Sequence, residues 1–185
     1  MLSGGGGLVS SNDDYLQFCH MLLNGGELNG ARLLSPRTLR FMTTNHLPRG
    51  RTLNEMGQST FAESAMESTG FGLGFSVLLD PAANQSLGTP GQYAWGGAAS
   101  TAFWVDPVED LTVVFMTQLL PSNTYPLRRH LHAGVYQALL DWPRDPVIAR
   151  PQTRKPYTQC DAPDRRQSRH RPNARDRGTR TGVVD

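Results

Sequence analysis

Short apolar segments separated by turns, between residues 71 and 117, constrain the fold of this chain most strongly. The clearest one runs from Phe71 to Leu79, where apolar side chains alternate with glycines and a serine. This period of two predicts a β-strand. Further strands are predicted at residues 93–95, 101–105 and 111–117. Parallel neighbours need a crossover of about a dozen residues or more, usually a helix. The linkers here are too short for crossover helices, so the pattern predicts an antiparallel meander.

Helical periodicity lies on both sides of this region, at residues 15–23, 36–42 and 127–142. Asn12 or Asp13 is the predicted N-cap of the first helix, and the glycines after Asn24 predict its end. Ser35 before Pro36 predicts the start of the second helix. The third helix has its predicted buried face at Leu127, Leu131, Val135, Ala138 and Leu139. The order helix, helix, strands, helix predicts an α+β (mixed α/β) fold, in which an antiparallel sheet is flanked by helices.

Charge divides the chain into two unlike parts. Residues 1–142 carry seven Arg and eleven acidic residues, whereas residues 143–185 carry ten Arg, one Lys and five acidic residues. The second part has no Leu, Phe or Met and cannot bury enough apolar surface to fold, so we expect a disordered tail. Its arginines also fit a nucleic-acid arm. Acidic residues interrupt the run and aromatics do not alternate with it, which favours a solvated extension without a nucleic-acid partner.

The sequence predicts neither a cofactor nor a metal. The run Gly4–Gly7 lacks the lysine and the preceding strand of a phosphate-binding loop. The five histidines show no close pair such as His-x-x-x-His, and Cys19 and Cys160 form no zinc or disulfide pattern. Cys19 is predicted to be a small buried hydrophobe. No apolar run approaches the roughly 20 residues of a membrane span, and no secretory signal follows Met1. We therefore expect a cytoplasmic protein without membrane contact, unless an N-terminal segment is missing from this sequence.

The segment Trp95-Gly96-Gly97-Ala98 is the strongest candidate for chemistry. Two glycines beside a strand permit close approach of a ligand or of another backbone. An exposed N–H beside them can stabilise an oxyanion, which is worth on the order of 3 kcal/mol in acyl transfer. The alternative is a β-bulge that curves the sheet. Spacing alone favours the bulge.

A resemblance to a known family favours the chemical role of this segment over the bulge. Residues 3 to about 141 resemble the C-terminal region of the class C β-lactamase-like serine hydrolases, a superfamily of β-lactamases, penicillin-binding proteins and family VIII esterases. The matching segments are Gly4–Ser10, Leu22–Gly26, Leu33–Pro36, Phe71–Phe75, Trp95–Ala98 and Phe103–Pro107. The resemblance implies that Trp95, Gly96 and Gly97 form the third active-site motif and contact substrate, and that the Ala98 N–H is the second oxyanion donor. It also implies a small-molecule ester, amide or lactam substrate. A tryptophan where many members have lysine favours an ester over a β-lactam.

The family's other motifs are missing from these residues. The nucleophile of the superfamily lies in Ser-x-x-Lys, but Lys155 is the only lysine here and Gln152 precedes it by three positions. No Tyr-x-Asn-type motif lies in the matched region either. The resemblance therefore implies residues 1–142 of a truncated serine hydrolase, with an incomplete fold and no activity alone. Two alternatives stay open: a non-catalytic binding module with residues 143–185 as its contact arm, and a half-enzyme completed by a separate N-terminal chain.

Overall fold

The computed structural model of the chain describes residues 7–57, 67–122 and 124–140. It confirms the α+β fold: an antiparallel sheet with helices on its faces. The elements are α1 (Asn12–Leu23), β1 (Glu27–Leu28), β2 (Ala31–Arg32), α2 (Pro36–Met42), a 3₁₀ turn (Pro48–Gly50), β3 (Thr69–Phe71), β4 (Ser76–Leu78), β5 (Tyr93–Gly96), β6 (Ala102–Asp106), β7 (Leu111–Phe115) and α3 (Leu127–Tyr136). The expectations for residues 143–185 and for Cys160 lie outside the described residues.

Serine side chains cap the first two helices. The Ser35 hydroxyl accepts the Thr38 N–H at 3.0 Å, which confirms the predicted start of α2. The predicted cap of α1 is wrong by one residue, because Ser11 is the N-cap and its hydroxyl accepts the Asp14 N–H at 3.1 Å. Asn12 and Asp13 instead lie in the first turn, where an acidic side chain interacts favourably with the helix dipole.

The predicted strand from Phe71 to Leu79 is in fact a hairpin. β3 ends at Phe71 and β4 begins at Ser76, and between them the Gly72 N–H donates to the Phe75 carbonyl at 2.8 Å. The period of two continues through this turn because its apolar residues happen to alternate with glycine. Gly72 lies against the end of α2, where a Cβ would come within 2.0 Å of the Met42 carbonyl oxygen. Glycine at this position therefore reflects close packing and a turn.

The five strands β3 to β7 form the predicted antiparallel meander. Their order is β3-β4-β5-β6-β7, and every neighbouring pair is antiparallel. One face of the sheet packs against α1, where Cys19 and Leu22 join Tyr93, Phe103 and Val105 in the core. Cys19 is fully buried, as predicted for a small hydrophobe, and burial raises the pKa of its thiol to about 12.

Helix α3 contacts the other face through a stripe that the sequence analysis missed. Arg128, His132 and Tyr136 are spaced four residues apart and therefore lie on one side of the helix. The His132 ring lies 4.8 Å from the Trp104 ring of β6. This stripe is polar, whereas the predicted buried face was the neighbouring apolar one.

The third helix is also shorter than predicted. It ends at Tyr136, and the Ala138 and Leu139 N–H groups bond three residues back, which tightens the last turn. Ala138 and Leu139, two of the five residues assigned to the buried face, are exposed. Leu140 is 93% exposed, so it contributes little buried apolar surface after the helix ends.

A buried carboxylate joins α3 to the sheet. Asp106, at the end of β6, has no exposed surface. It accepts the Tyr136 hydroxyl at 2.5 Å, the Thr89 hydroxyl at 2.6 Å and the Val108 N–H at 3.0 Å. Burial, followed by the hydrogen bond to Asp106, raises the pKa of Tyr136 above its ordinary value. Because a buried charge without partners is costly, these donors stabilise the end of β6 and fasten α3 to it.

The side-chain amide of Gln92 extends this network to His132. Its two polar atoms lie 2.9 Å from the Tyr136 hydroxyl and 2.9 Å from His132 Nε2. Burial lowers the pKa of His132, and the negative charge of Asp106 opposes part of this effect. The folded protein therefore favours the neutral imidazole. In the described ranges, no helix is long and apolar enough to cross a membrane.

Tyr136→Phe tests the attachment of α3. The variant removes the closest donor to the buried Asp106 carboxylate, and we expect the free energy of unfolding in urea to fall by roughly 1–3 kcal/mol. Tyr125→Phe is the matched control, because Tyr125 is exposed. A loss for Tyr136→Phe no larger than that of the control would contradict the account.

The pH dependence of stability tests His132. Because its pKa is lower in the folded than in the unfolded protein, its contribution is complete above the ordinary pKa of about 6.5 and is lost as the pH falls below it. We expect His132→Phe to reduce the loss of unfolding free energy between about pH 7 and pH 5. His130→Phe, at an exposed position, is the control. Equal pH slopes for wild type and His132→Phe would overturn this expectation.

Candidate active site

The candidate segment lies at the end of β5, the middle strand of the sheet. Trp95 and Gly96 are the last residues of β5, and Gly97 and Ala98 begin the turn to β6. Within this turn the Gly97 N–H donates to the Thr101 carbonyl at 3.1 Å, and the Ser100 N–H donates to the Gly97 carbonyl at 3.1 Å. These bonds define a tight loop of residues 97–101, which we call the β5–β6 turn.

The backbone N–H of Ala98 is not used within this turn. Ala98 is exposed, and its N–H donates to no acceptor among the described residues. By contrast, the Gly97 and Ser100 N–H groups are used within the turn. The position that the resemblance assigns to an oxyanion donor therefore carries a backbone N–H without an acceptor among the described residues.

The two glycines permit close packing. A Cβ on Gly96 would lie 2.7 Å from the Thr101 carbonyl oxygen and 2.8 Å from Arg128 Nη2, and one on Gly97 would lie 2.6 Å from Thr101 Oγ1. The ladder pairs β5 and β6 one to one from Tyr93 to Gly96, with no extra residue on either strand. No bulge therefore lies within the paired part of β5 and β6, and close approach accounts for the two glycines.

Arg128 of α3 is a site residue that the sequence analysis missed. Its Nη2 donates to the carbonyls of Gly97 at 2.8 Å and Thr101 at 3.0 Å, and its Nε donates to Thr101 at 3.2 Å. No motif surrounds Arg128, and it is separated from the turn by about 30 residues of chain. The only signal in the sequence was the Gly96-Gly97 pair, which permits the close approach of another group.

The far side of the turn is anchored as well. Ser100 is fully buried with a left-handed backbone (φ 65°), and its hydroxyl lies 2.9 Å from the Leu119 carbonyl. The Leu119 N–H donates in return to the Ala99 carbonyl at 3.1 Å. The β5–β6 turn is therefore held both by α3 and by the segment after β7.

Trp95 forms an apolar wall beside the turn. Its side chain is 45% exposed and lies edge-to-face with Phe71, with the ring centroids 5.0 Å apart. Because side chains alternate along a strand, Trp95 lies on the same sheet face as Tyr93, and Gly96 lies on the opposite face, toward α3. Trp95 and Phe71 therefore form a partly exposed pair of aromatic rings next to the candidate segment.

Among the described residues, the hydrogen bonds given for Trp95 to Ala98 involve no carboxylate, imidazole or lysine. No group of three metal-ligating side chains occurs in the described part of the chain. The site thus offers a backbone donor, an apolar wall and a supporting arginine.

The candidate segment is thus a strand end followed by a turn that is held in place and carries an unused backbone N–H. The Beta-lactamase family model matches residues 1–137. The chain therefore belongs to the Beta-lactamase family, as its sequence motifs indicated.

Known relatives extend well beyond the matched region. Protein Rv1367c of Mycobacterium tuberculosis is 38% identical over 123 residues, which are 65% of this chain and 30% of that protein. The structure of EstCE1, a hydrolase with promiscuous acyltransferase activity, is 27% identical with a TM-score of 0.56, over 72% of this chain and 32% of EstCE1. Simvastatin synthase (LovD) of Aspergillus terreus is 27% identical with a TM-score of 0.51, over 67% of this chain and 34% of LovD. This chain thus spans about a third of the length of these proteins.

Gly96→Ala tests the close approach at the turn. The added methyl group would overlap the Thr101 carbonyl and the Arg128 guanidinium, so we expect a loss of roughly 1–3 kcal/mol in urea unfolding. Gly134→Ala on α3 is the matched control, because its Cβ would meet nothing within 4 Å. It should be neutral or stabilising by up to about 1 kcal/mol. Equal effects of the two substitutions would contradict the packing argument.

Proposed function

We propose that this chain supplies the third active-site motif of an acyl-ester hydrolase of the Beta-lactamase family. In this proposal the Ala98 N–H is one of two oxyanion donors, and Trp95, Gly96 and Gly97 contact the substrate. The observation that carries the proposal is the unused N–H of Ala98, an exposed residue at the end of a strand whose turn is fixed from both sides.

The proposed reaction follows the acyl-serine route. A serine oxygen attacks the ester carbonyl, and the negative charge that develops on the carbonyl oxygen is stabilised by the two N–H donors. Collapse of this intermediate breaks the bond to the alcohol and leaves an acyl-serine, which water then hydrolyses. These 185 residues contain no Ser-x-x-Lys, so the nucleophile and its base must come from outside them. We therefore expect the chain to be inactive by itself.

Two observations support an ester over a β-lactam. The residue at the start of the motif is Trp95, which has no charge to bind a β-lactam carboxylate, and it pairs with Phe71 as an apolar surface. This surface suits an uncharged acyl or alkoxy group. The hydrolase and acyltransferase activities in the name of EstCE1, 27% identical to this chain, agree with acyl transfer.

The two outer edges of the sheet favour a domain that is completed by further protein, rather than a non-catalytic binding module. The outer edge of β3 is covered, because the His46 and Leu53 N–H groups donate to the Phe71 and Thr69 carbonyls at 2.8 and 2.7 Å. In the described ranges the outer edge of β7 makes no such bonds, and the strand Leu111–Phe115 has neither charge nor proline. Uncovered edges of this kind readily accept another strand. In this proposal, a strand from the part of the enzyme that carries the nucleophile pairs with the outer edge of β7.

Fluorophosphonate labelling tests the proposal. The purified 185-residue chain should not be labelled, whereas stoichiometric labelling would contradict the absence of a nucleophile. In protein from the native source, intact-mass spectrometry should find this sequence either within a labelled species heavier than 20.4 kDa or together with a separate labelled protein. An unlabelled, unaccompanied 20.4 kDa species would reject the hydrolase proposal and leave binding as the function.

A further inference from the structure

We infer that Arg128 is a positioning residue that orients and polarises the Ala98 N–H through the peptide bond between Gly97 and Ala98. The inference rests on the proposed function, because it concerns the same oxyanion donor. It assigns to α3 a role in the site that goes beyond supporting the sheet.

The peptide plane provides the physical link. The carbonyl of Gly97 and the N–H of Ala98 belong to one planar trans peptide group, so they point in opposite directions. Arg128 Nη2 donates to the Gly97 carbonyl at 2.8 Å. Fixing that oxygen toward α3 fixes the Ala98 N–H away from α3. The Trp95 side chain lies on that opposite face of the sheet.

The guanidinium also strengthens the donor. Hydrogen bonds to a charged group are stronger than neutral ones, and a carbonyl that accepts such a bond polarises the N–H of the same peptide. The Gly97 carbonyl additionally accepts the Ser100 N–H at 3.1 Å, which acts in the same direction. The Ala98 N–H is therefore a better donor to an oxyanion than an isolated amide.

The turn needs this support because its own residues provide little. Gly97, Ala98 and Ala99 have minimal side chains, and Ser100 adopts a left-handed backbone that a serine rarely takes. Arg128 bridges the two ends of the turn, since its planar fork also reaches the Thr101 carbonyl at 3.0 and 3.2 Å. A lysine is a point charge and cannot reproduce this pair of contacts.

The test uses the protein tagged at its own gene in the native host, so that the nucleophile is present whether it lies on the same, longer polypeptide or on a co-purifying chain. Hydrogen–deuterium exchange of the 97–101 segment is compared in wild type, Arg128→Ala, Arg128→Lys and the matched control Arg129→Ala, whose side chain is exposed. We expect exchange to be about tenfold faster or more in Arg128→Ala, intermediate in Arg128→Lys and unchanged in the control. Ethylguanidinium added to Arg128→Ala should slow it again. Unchanged exchange in Arg128→Ala would overturn the inference.

Hydrolysis of p-nitrophenyl butyrate by the same preparations tests the catalytic consequence. Arg128→Ala should lower kcat roughly 10- to 100-fold with little change in KM, and ethylguanidinium should restore part of kcat. A raised KM at constant kcat would mean that Arg128 contacts substrate, which overturns a positioning role. A wild-type preparation that does not hydrolyse the ester would reject the proposed function instead, and the exchange experiment would still decide whether Arg128 holds the turn.

Discussion

The packing of Arg128 against Gly96 is the contact on which the arrangement of the site depends. Only a residue without a side chain lets the guanidinium come close enough to reach the Gly97 and Thr101 carbonyls. This contact joins three elements at one point: the end of β5, the turn to β6 and the first turn of α3. The direction of the Ala98 N–H follows from it, because the same peptide group carries the Gly97 carbonyl.

The remainder of α3 is held by the same kind of interaction. Arg128, His132 and Tyr136 lie on one stripe and meet the sheet at successive points, from the site to the buried Asp106 at the end of β6. Polar contacts of this kind fix a helix in one register, since each donor needs its own acceptor. On the α1 face, the sheet is stabilised by burial of apolar side chains. On the α3 face, polar contacts fix the position of the helix.

Structural features that depend on residues close together in the sequence were predicted correctly. The cap at Ser35, the end of α1 and the antiparallel order of the strands follow from local turn and capping chemistry. The hairpin within residues 71–79 was missed because period-two alternation does not distinguish one strand from two joined by a glycine turn. The length of α3 was overestimated because the helical pattern of the sequence continues beyond Tyr136, whereas residues 137–140 are exposed and not helical.

The candidate site was predicted only in part. Trp95 to Ala98 were proposed from their resemblance to a family motif, whereas spacing alone favoured a bulge. Arg128 was not found, because a lone arginine on a helix has no local signature and its partners are backbone carbonyls. The Gly96–Gly97 pair was the one signal, since glycines required by close packing imply a large neighbour that the sequence does not name.

The structure of the phosphonylated enzyme, with this chain and its nucleophile together, tests the central claim most directly. We expect a phosphonyl oxygen about 2.7–3.1 Å from the Ala98 nitrogen, the distance typical of an oxyanion donor. We also expect the phosphonate substituents to lie on the Trp95 face of β5. A phosphonyl oxygen bound by other donors, with the Ala98 N–H facing solvent or a protein acceptor, would contradict this expectation.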